Sequence, residues 1–208
     1  MNNEVLRELS YGVYVVSTMN GDKPTGCIAN SLMQVTYDTI AVSINHENFT
    51  NECINKTGKF AVSILGVDVE DNIIPVFGFQ SGREVFKFDK VETKKVEGID
   101  IIADSAGYIV CEVTDKMETE THTIFLGKIT DCDKLKDCTP MTYAYYHQVK
   151  KGSSPKTAPT YIEEKPSSKL CYRCIICNYI YEGDITKEPD DYLCPICKQP
   201  KTKFVKCE

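Results

Sequence analysis

Four cysteines near the C-terminal end of the chain have the spacing of a metal centre. Cys174 and Cys177 form one Cys-x-x-Cys pair, and sixteen residues separate it from a second pair, Cys194 and Cys197. A two-residue gap lets both sulfurs of a pair reach one metal ion while N–H groups of the turn point back at them. Two such pairs supply four thiolates and leave no open coordination position, which suits electron transfer or structural support. The spacing alone is compatible with iron and with zinc.

Aromatic residues surround these cysteines and favour iron. They are Tyr172, Tyr179, Tyr181, Tyr192 and Phe204. Together with the two cysteine pairs they resemble a rubredoxin, and this resemblance implies one iron ion bound by four cysteines. Rubredoxins usually have glycine after each pair, where the backbone is left-handed, but Asn178 and Lys198 stand here. Asparagine tolerates that conformation and lysine should bear a modest strain. Cys171 opens an alternative register with Cys174, but the tyrosine pattern favours Cys174 and Cys177, so Cys171 and Cys207 are expected to remain free thiols.

The cysteines also divide the chain into domains. Six of the 11 cysteines lie in the last 38 residues, and the others are spread irregularly over the first 140. Between these regions the sequence is rich in proline, serine and charge and has no periodicity, as in a linker. The sequence therefore predicts a domain at residues 1–150, a linker at 151–169 and a small domain at 170–208. So short a C-terminal domain buries too little apolar surface to fold without its metal.

Composition and charge exclude several classes of protein. The chain of 208 residues is 42% hydrophobic and 26% charged, which is an ordinary globular balance. Its formal net charge is −6 and its lysines are scattered among acidic residues, which argues against a nucleic-acid partner. No apolar run approaches the ~18 residues of a membrane span, and the N-terminus lacks the features of a signal peptide. A cytoplasmic protein is expected, in which the cysteines are reduced thiols or metal ligands.

Strand patterns dominate the first 150 residues. β-Branched and aromatic runs predict strands at 13–17, 40–44, 60–64, 108–113 and 121–129, and helices are predicted at 4–9, 49–56 and 69–74. More strands than helices favour a barrel over a doubly wound sheet, and the absence of a Gly-x-Gly-x-x-Gly turn argues against a Rossmann site. Residues 143–147 form an aromatic cluster of Tyr143, Tyr145, Tyr146 and His147. Tyrosines at such spacing usually belong to a core, although they also suit shielding of a flavin or a subunit interface.

Four segments of this domain, at 25–36, 43–50, 78–88 and 121–127, together resemble the FMN-binding split barrel of the flavin reductase-like family. The resemblance implies a mainly β fold and FMN contacts from Asn30, Ser31, Leu32, Gln34, Val35, Thr36, Ser43, Asn45, Asn48, Thr50, Ser81, Gly82, Arg83, Lys87 and Phe88. Short polar side chains at a helix N-terminus suit a phosphate. Gly82 permits a tight turn, while Arg83 and Lys87 can neutralise a phosphate or a reduced, anionic flavin. His122 would assist proton or hydride transfer, although a histidine among apolar strand residues is more often a packed core residue.

The fusion of these two domains resembles the high-molecular-weight rubredoxins of anaerobes. That resemblance implies that NADH or NADPH reduces FMN, that FMN reduces the iron, and that the iron reduces a partner such as a flavodiiron protein acting on oxygen or nitric oxide. The split-barrel resemblance implies a homodimer, because such barrels usually build the flavin pocket at a two-fold interface. Two alternatives stay open: a zinc ribbon that docks the flavin domain to a partner, and a flavin reductase that releases reduced FMN.

Overall fold

The chain is mainly β, as the sequence predicts. The computed structural model describes residues 3–150, 152, 154, 155, 158 and 170–207. The strands are β1 (Tyr14–Asn20), β2 (Lys23–Ala29), β3 (Leu32–Thr36), β4 (Thr39–Asn45), β5 (Lys59–Ile64), β6 (Thr93–Val96), β7 (Ile99–Ile102), β8 (Gly107–Glu118), β9 (His122–Lys134), β10 (Cys171–Cys174), β11 (Ile180–Glu182) and β12 (Phe204–Lys206). The helices are α1 (Phe49–Thr57), α2 (Ile73–Phe79) and α3 (Tyr143–Gln148), and short 3₁₀ segments lie at Asn3–Glu8, Phe88–Lys90, Ile185–Lys187 and Lys201–Lys203.

Seven antiparallel strands form the main sheet, in the order β2-β1-β5-β8-β9-β4-β3. Apolar residues of β2, near one end of this order, pack in the same buried cluster as residues of β4, near the other end; Cys27 and Val42 are examples. A hydrogen bond of 3.0 Å from the Ser43 N–H to the Ser31 carbonyl also ties β4 to the segment that leaves β2. The sheet therefore curls into a barrel around this cluster.

A second apolar cluster lies outside the barrel and holds α2 and α3 in place. It includes Val15 of β1, Phe77 of α2 and Tyr143 of α3, and it is closed by Leu65 and Met141. A hairpin of β6 and β7 covers a third cluster on β5 and β8. The two helices thus lie beside the strand ends that carry the predicted binding residues.

The C-terminal domain is a three-stranded antiparallel sheet in the order β11-β10-β12. Its buried cluster consists of the four cysteines together with Ile185 and Phe204. Because four of these six side chains are potential metal ligands, the metal centre is most of the core of this domain.

The predicted elements are confirmed in most places and wrong in one. All five predicted strands are present, and α1 ends at Gly58, whose φ of 66° is the left-handed conformation expected there. The helix predicted at 69–74 instead begins at Ile73, because Pro75 has no N–H and fits only in a first turn. The segment at 143–147, for which no element was predicted, is part of helix α3, with Thr142 as its N-cap.

Two further features bear on the expectations above. Most of the predicted linker at 151–169 lies outside the described residues. Among the helices that are described, none has the length and the apolar character that crossing a membrane requires.

Candidate functional site

The four predicted metal ligands come together in the C-terminal domain. The Sγ atoms of Cys174, Cys177, Cys194 and Cys197 all lie within 4.8 Å of one another, and the four residues are fully buried. Cys174 Sγ is 3.6 Å from Cys197 Sγ, and Cys177 Sγ is 3.5 Å from Cys194 Sγ. A tetrahedral ion with sulfur ligands at about 2.3 Å separates those sulfurs by about 3.8 Å. The cluster therefore fits one tetrahedral metal ion.

The two cysteine pairs have the same local structure. The N–H of Asn178 donates to the Cys174 carbonyl at 2.9 Å, and the N–H of Lys198 donates to the Cys194 carbonyl at 2.9 Å. Asn178 and Lys198 have φ values of 62° and 57°, which confirms the left-handed conformation predicted at both positions. Backbone N–H groups of the following residues, Tyr179 and Gln199, bond to the sulfurs of Cys177 and Cys197. Such donors stabilise thiolates over thiols.

The sulfurs also interact strongly with one another. Hydrogen bonds from the other three thiols, that of Cys177 first, lower the pKa of Cys174, and the same kind of contact raises the pKa of Cys177. In the absence of a cation, then, one thiolate is stabilised at the expense of its neighbours. Only a bound cation allows all four to be thiolates at once, as metal ligands must be.

Aromatic side chains enclose the cluster, as the sequence suggests. Tyr179 meets Phe204 edge to face with centroids 6.4 Å apart, and Tyr192 does so at 6.2 Å. Tyr181 packs against Tyr192 at 5.8 Å. Cys171 is not part of the four-sulfur cluster, so the register with Cys174 and Cys177 is the one that the fold adopts.

The first domain contains a cavity, here called the central cavity, where the ends of β2, β4 and β9 meet α2 and α3. Its lining residues include five of the predicted FMN contacts and catalytic residues: Asn30, Ser43, Asn45, Asn48 and His122. The rest of the lining is largely apolar, so a flat aromatic ring is a suitable occupant.

His122, the first residue of β9, is the histidine in the described lining of the central cavity. It lies directly opposite Asn45 in the pairing of β9 with β4, and its Nδ1 is 2.8 Å from the Thr121 hydroxyl oxygen. Burial, and then the charge of His46, lowers the pKa of His122. The imidazole is therefore neutral at pH 7 and can exchange hydrogen bonds with a ligand without carrying a charge.

A second cavity, here called the junction cavity, adjoins the first, and the two share Cys27, Asn48, Gly78, Phe79 and Pro155. It contains four more predicted FMN contacts: Thr50, Ser81, Gly82 and Lys87. Lys87 is 4% exposed, and its Nζ donates to the carbonyls of Gly26 at 2.8 Å and Phe77 at 3.2 Å. No carboxylate forms an ion pair with Lys87 among the described residues, so this buried ammonium suits an anionic ligand.

Gly82 and the start of α1 also line the junction cavity. A Cβ added to Gly82 would collide with the Thr25 hydroxyl, which is buried and does not itself line the cavity. The first turn of α1, at Phe49 and Thr50, contributes N–H groups that have no partner within the helix. A phosphate therefore fits here.

The other predicted FMN contacts are not in these cavities. Ser31 and Leu32 lie beside the central cavity without lining it, and Gln34, Val35 and Thr36 are exposed on edge strand β3. The guanidinium of Arg83 pairs with Glu52 at 2.7 Å. Phe88 is buried in the core against Phe77, with ring centroids 4.9 Å apart.

Sequence reasoning did not select several of the lining residues. They are Cys27, Ile28, Ala29, Ile74, Phe77 and Phe79, together with Ser154, Pro155 and Ala158 from the predicted linker. Tyr143 and Tyr146 also line the cavity, and both are buried in the second apolar cluster, as expected for tyrosines of a core. The apolar members have no signal that distinguishes them from core residues, because their role depends on which elements meet.

The two adjoining cavities form one cleft, and the metal domain closes one side of it. Ile175, Ile176 and Asn178 of the first cysteine pair line the junction cavity. Phe79 packs both against the core of the first domain and against the cysteine cluster. Pro195, Ile196 and Lys198 of the second pair share another cavity with α2 and Tyr146. Both cysteine pairs thus face the part of the first domain that carries the cleft.

Comparisons with known proteins agree with this arrangement. The flavin reductase like domain matches residues 6–153, and the rubrerythrin, rubredoxin-like domain matches residues 172–205. A high molecular weight rubredoxin of Moorella thermoacetica is 40% identical over 98% of this chain and 99% of that protein. A ferric-chelate reductase (NAD(P)H) of Archaeoglobus fulgidus is 37% identical over 79% of this chain and 100% of that protein. Among solved structures, an NADH:FAD oxidoreductase of Streptomyces globisporus superposes with a TM-score of 0.61 at 25% identity, covering 66% of this chain and 84% of that one.

Proposed function

Because the chain belongs to the flavin reductase like domain family and to the high molecular weight rubredoxins, we propose that it carries electrons from NADH or NADPH through FMN to one iron ion and on to a redox partner. The observation that carries this proposal is the junction cavity, whose wall is built from both domains. A metal centre held against a cofactor cleft is suited to receive electrons from it. The chain is an oxidoreductase in this proposal, and the metal is more than a structural support.

The proposed FMN site uses the two adjoining cavities for the two ends of the cofactor. The ring would occupy the central cavity, between Ile28, Phe77 and Tyr146 on apolar sides and Asn45 and His122 on the polar side. The phosphate would occupy the junction cavity. There Lys87 would supply a positive charge, and the first turn of α1 would supply hydrogen bonds.

When bound, the flavin accepts a hydride as two electrons and can release them one at a time, and tetrathiolate iron carries one electron. The residues of this chain position and insulate these groups. His122, neutral at pH 7, would hold or release a proton at the polar edge of the ring. Phe79 would hold the metal domain over the cleft and exclude water from the space between the two sites.

The donor and the acceptor are proposed from similarity. The relatives named as a ferric-chelate reductase (NAD(P)H) and an NADH:FAD oxidoreductase support a nicotinamide donor. The resemblance to high-molecular-weight rubredoxins supports a flavodiiron protein as the acceptor. The exposed residues on and just after edge strand β3 support a homodimer, since Met33, Val35 and Tyr37 are 63%, 46% and 96% exposed.

An anaerobic titration of the purified protein with NADH, followed in the visible spectrum together with elemental analysis, tests the proposal. We expect flavin absorbance to bleach and the iron bands to disappear in the same titration. Zinc in place of iron would refute the relay. Iron bands that persist after full flavin reduction would refute transfer between the sites.

One relative favours a second candidate function. The match to a ferric-chelate reductase covers all of that protein but only 79% of this chain. In this second function the first domain delivers electrons to an external acceptor without using the metal. In that case removing the metal domain would leave the rate of acceptor reduction unchanged. FMN that leaves the protein during gel filtration would also favour this alternative, whereas tight retention would favour the relay.

A further inference from the structure

Two cysteines outside the set of four metal ligands lie side by side, at the start of β10 and just after the end of β12. β10 and β12 are antiparallel, with Tyr172 opposite Lys206, so the next pair outward is Cys171 and Cys207. The N–H of Cys207 donates to the Cys171 carbonyl at 2.9 Å, which continues the ladder to this pair. Directly opposed residues of an antiparallel pair have Cα atoms roughly 4.5–5.5 Å apart and side chains on the same face. That separation lies within the range of roughly 4.4–6.8 Å found for disulfides.

The two thiols are in contact but differ in their access to solvent. A hydrogen bond joins the side chains of Cys171 and Cys207, and the raised pKa of Cys171 has burial as its first cause and this contact as its second. Cys171 is 2% exposed, whereas Cys207 is partly exposed. A reagent in solution therefore reaches Cys207 first and finds Cys171 directly behind it.

We propose that Cys171 and Cys207 form a reversible disulfide that staples the two ends of the metal domain. The thiolate of Cys207 attacks a small-molecule disulfide such as oxidised glutathione, forms a mixed disulfide and releases one thiol. The thiolate of Cys171 then attacks the Cys207 sulfur, which forms the Cys171–Cys207 bond and releases the second thiol. The two electrons pass to the small-molecule disulfide, and the two protein thiol protons end on the two released thiols.

The position of this bond gives it a specific effect. It would close a loop of the 35 residues from 172 to 206, and that loop contains all four metal ligands. Opening of β12 away from β10 would expose the cluster, because Phe204 covers it and pairs with Cys174. A covalent staple at the end of this strand pair would oppose such opening. Oxidising conditions would therefore make the metal harder to remove.

The test uses full-length, metal-loaded protein. The protein is incubated without oxygen with oxidised glutathione, its free thiols are alkylated, and its peptides are analysed by mass spectrometry. We expect one linked peptide pair containing Cys171 and Cys207, lighter by two hydrogens and without attached glutathione. Transfer of the metal to a chelator should become slower by about tenfold or more after oxidation, and dithiothreitol should restore the original rate.

Matched variants separate the staple from a general effect of oxidation. Cys207→Ser should abolish both the linked peptide and the slower metal transfer, while Cys132→Ser, which removes an exposed thiol of the first domain, should change neither. Glutathione that stays on Cys207 while Cys171 is alkylated would overturn the proposal. A linked pair that leaves metal transfer unchanged would overturn the staple. Both readouts apply to iron and to zinc, so they do not depend on the proposed electron relay.

Discussion

The metal centre and the binding cleft are built in opposite ways. The metal centre takes all its ligands from residues 174–197, and its four sulfurs are the core of their own small domain. The cleft takes residues from three strands and three helices that are far apart in the chain. These elements are held by an apolar core that contains none of the residues proposed to contact the cofactor's polar groups. The first site needs its ligand in order to fold, whereas the second is shaped by the fold before any ligand binds.

This contrast predicts that losing a ligand has unequal consequences on the two sides. Removal of the metal should unfold the C-terminal domain, because little apolar surface remains to hold it. Removal of the cofactor should leave the barrel intact.

Cys194→Ser should break the metal site and leave the cleft. With one of four thiolates gone, bound metal should fall below about a tenth of its normal content, because metal binding is the main folding free energy of such a domain. Elemental analysis and limited proteolysis of residues 170–208 would measure the loss. Cys132→Ser is the control, since that thiol is exposed and far from the cluster. If the variant also loses its flavin, the two sites are not independent.

Lys87→Met should weaken the cleft and leave the metal site. Loss of the buried charge should raise the dissociation constant of FMN roughly 10- to 100-fold, the equivalent of one hydrogen bond to a charged group. Isothermal titration with FMN would measure this, and Lys90→Met, an exposed neighbour, should have little effect. An unchanged FMN affinity would show that the phosphate lies elsewhere.

The pH dependence of FMN binding follows from the same side chain. Burial lowers the pKa of Lys87 from 10.5 to about 8. The folded, unliganded protein therefore binds fewer protons than the unfolded chain between these pH values, so this lysine makes stability rise with pH across that window. The affinity for phosphate changes with pH in the opposite direction, because phosphate binding requires the charged ammonium of Lys87. FMN affinity should fall as the pH rises through about 8, and Lys87→Met should remove that fall.

Phe79→Ala tests whether the two regions work as one unit. Loss of the ring that packs on both cores should cost about 1–2 kcal/mol of docking free energy and slow electron transfer between the sites roughly tenfold. Stopped-flow spectroscopy of the iron bands after mixing with NADH would measure the rate. Phe86→Ala, which removes a ring exposed over Lys23, is the control. Equal rates in both variants would mean that electrons do not pass at this contact.

Lys198→Gly should produce the smallest change. Lys198 has a φ of 57°, and glycine removes the steric cost of that conformation. Glycine also makes the unfolded chain more flexible, which offsets part of this benefit. We therefore expect the free energy of unfolding of the metal domain to rise by about 0.5–1 kcal/mol. The rate of metal transfer to a chelator would register it. Asn178→Gly should stabilise the domain less, because asparagine tolerates the left-handed backbone better than lysine does. If both substitutions stabilise the domain equally, backbone strain at Lys198 is not the cause.

Local spacing together with the pattern of nearby tyrosines predicted the metal site from the sequence. Two Cys-x-x-Cys pairs determine which sulfurs meet, and the residues after them determine where the backbone must be left-handed. Runs of β-branched and aromatic residues likewise predicted five strands of the barrel. These features depend on neighbours within a few residues, so they can be read without knowing how the chain folds.

Only the tertiary structure decided which residues line the cleft and which cysteines meet outside the metal site. Lys87 and Arg83 are both basic residues of one predicted segment, yet Lys87 is buried beside the cavity and Arg83 pairs with Glu52 at the surface. Cys171 and Cys207 are distant in sequence, and they meet because β10 pairs with β12. Such contacts depend on strand pairing and on packing between distant elements, and a single sequence contains no short-range pattern that records them.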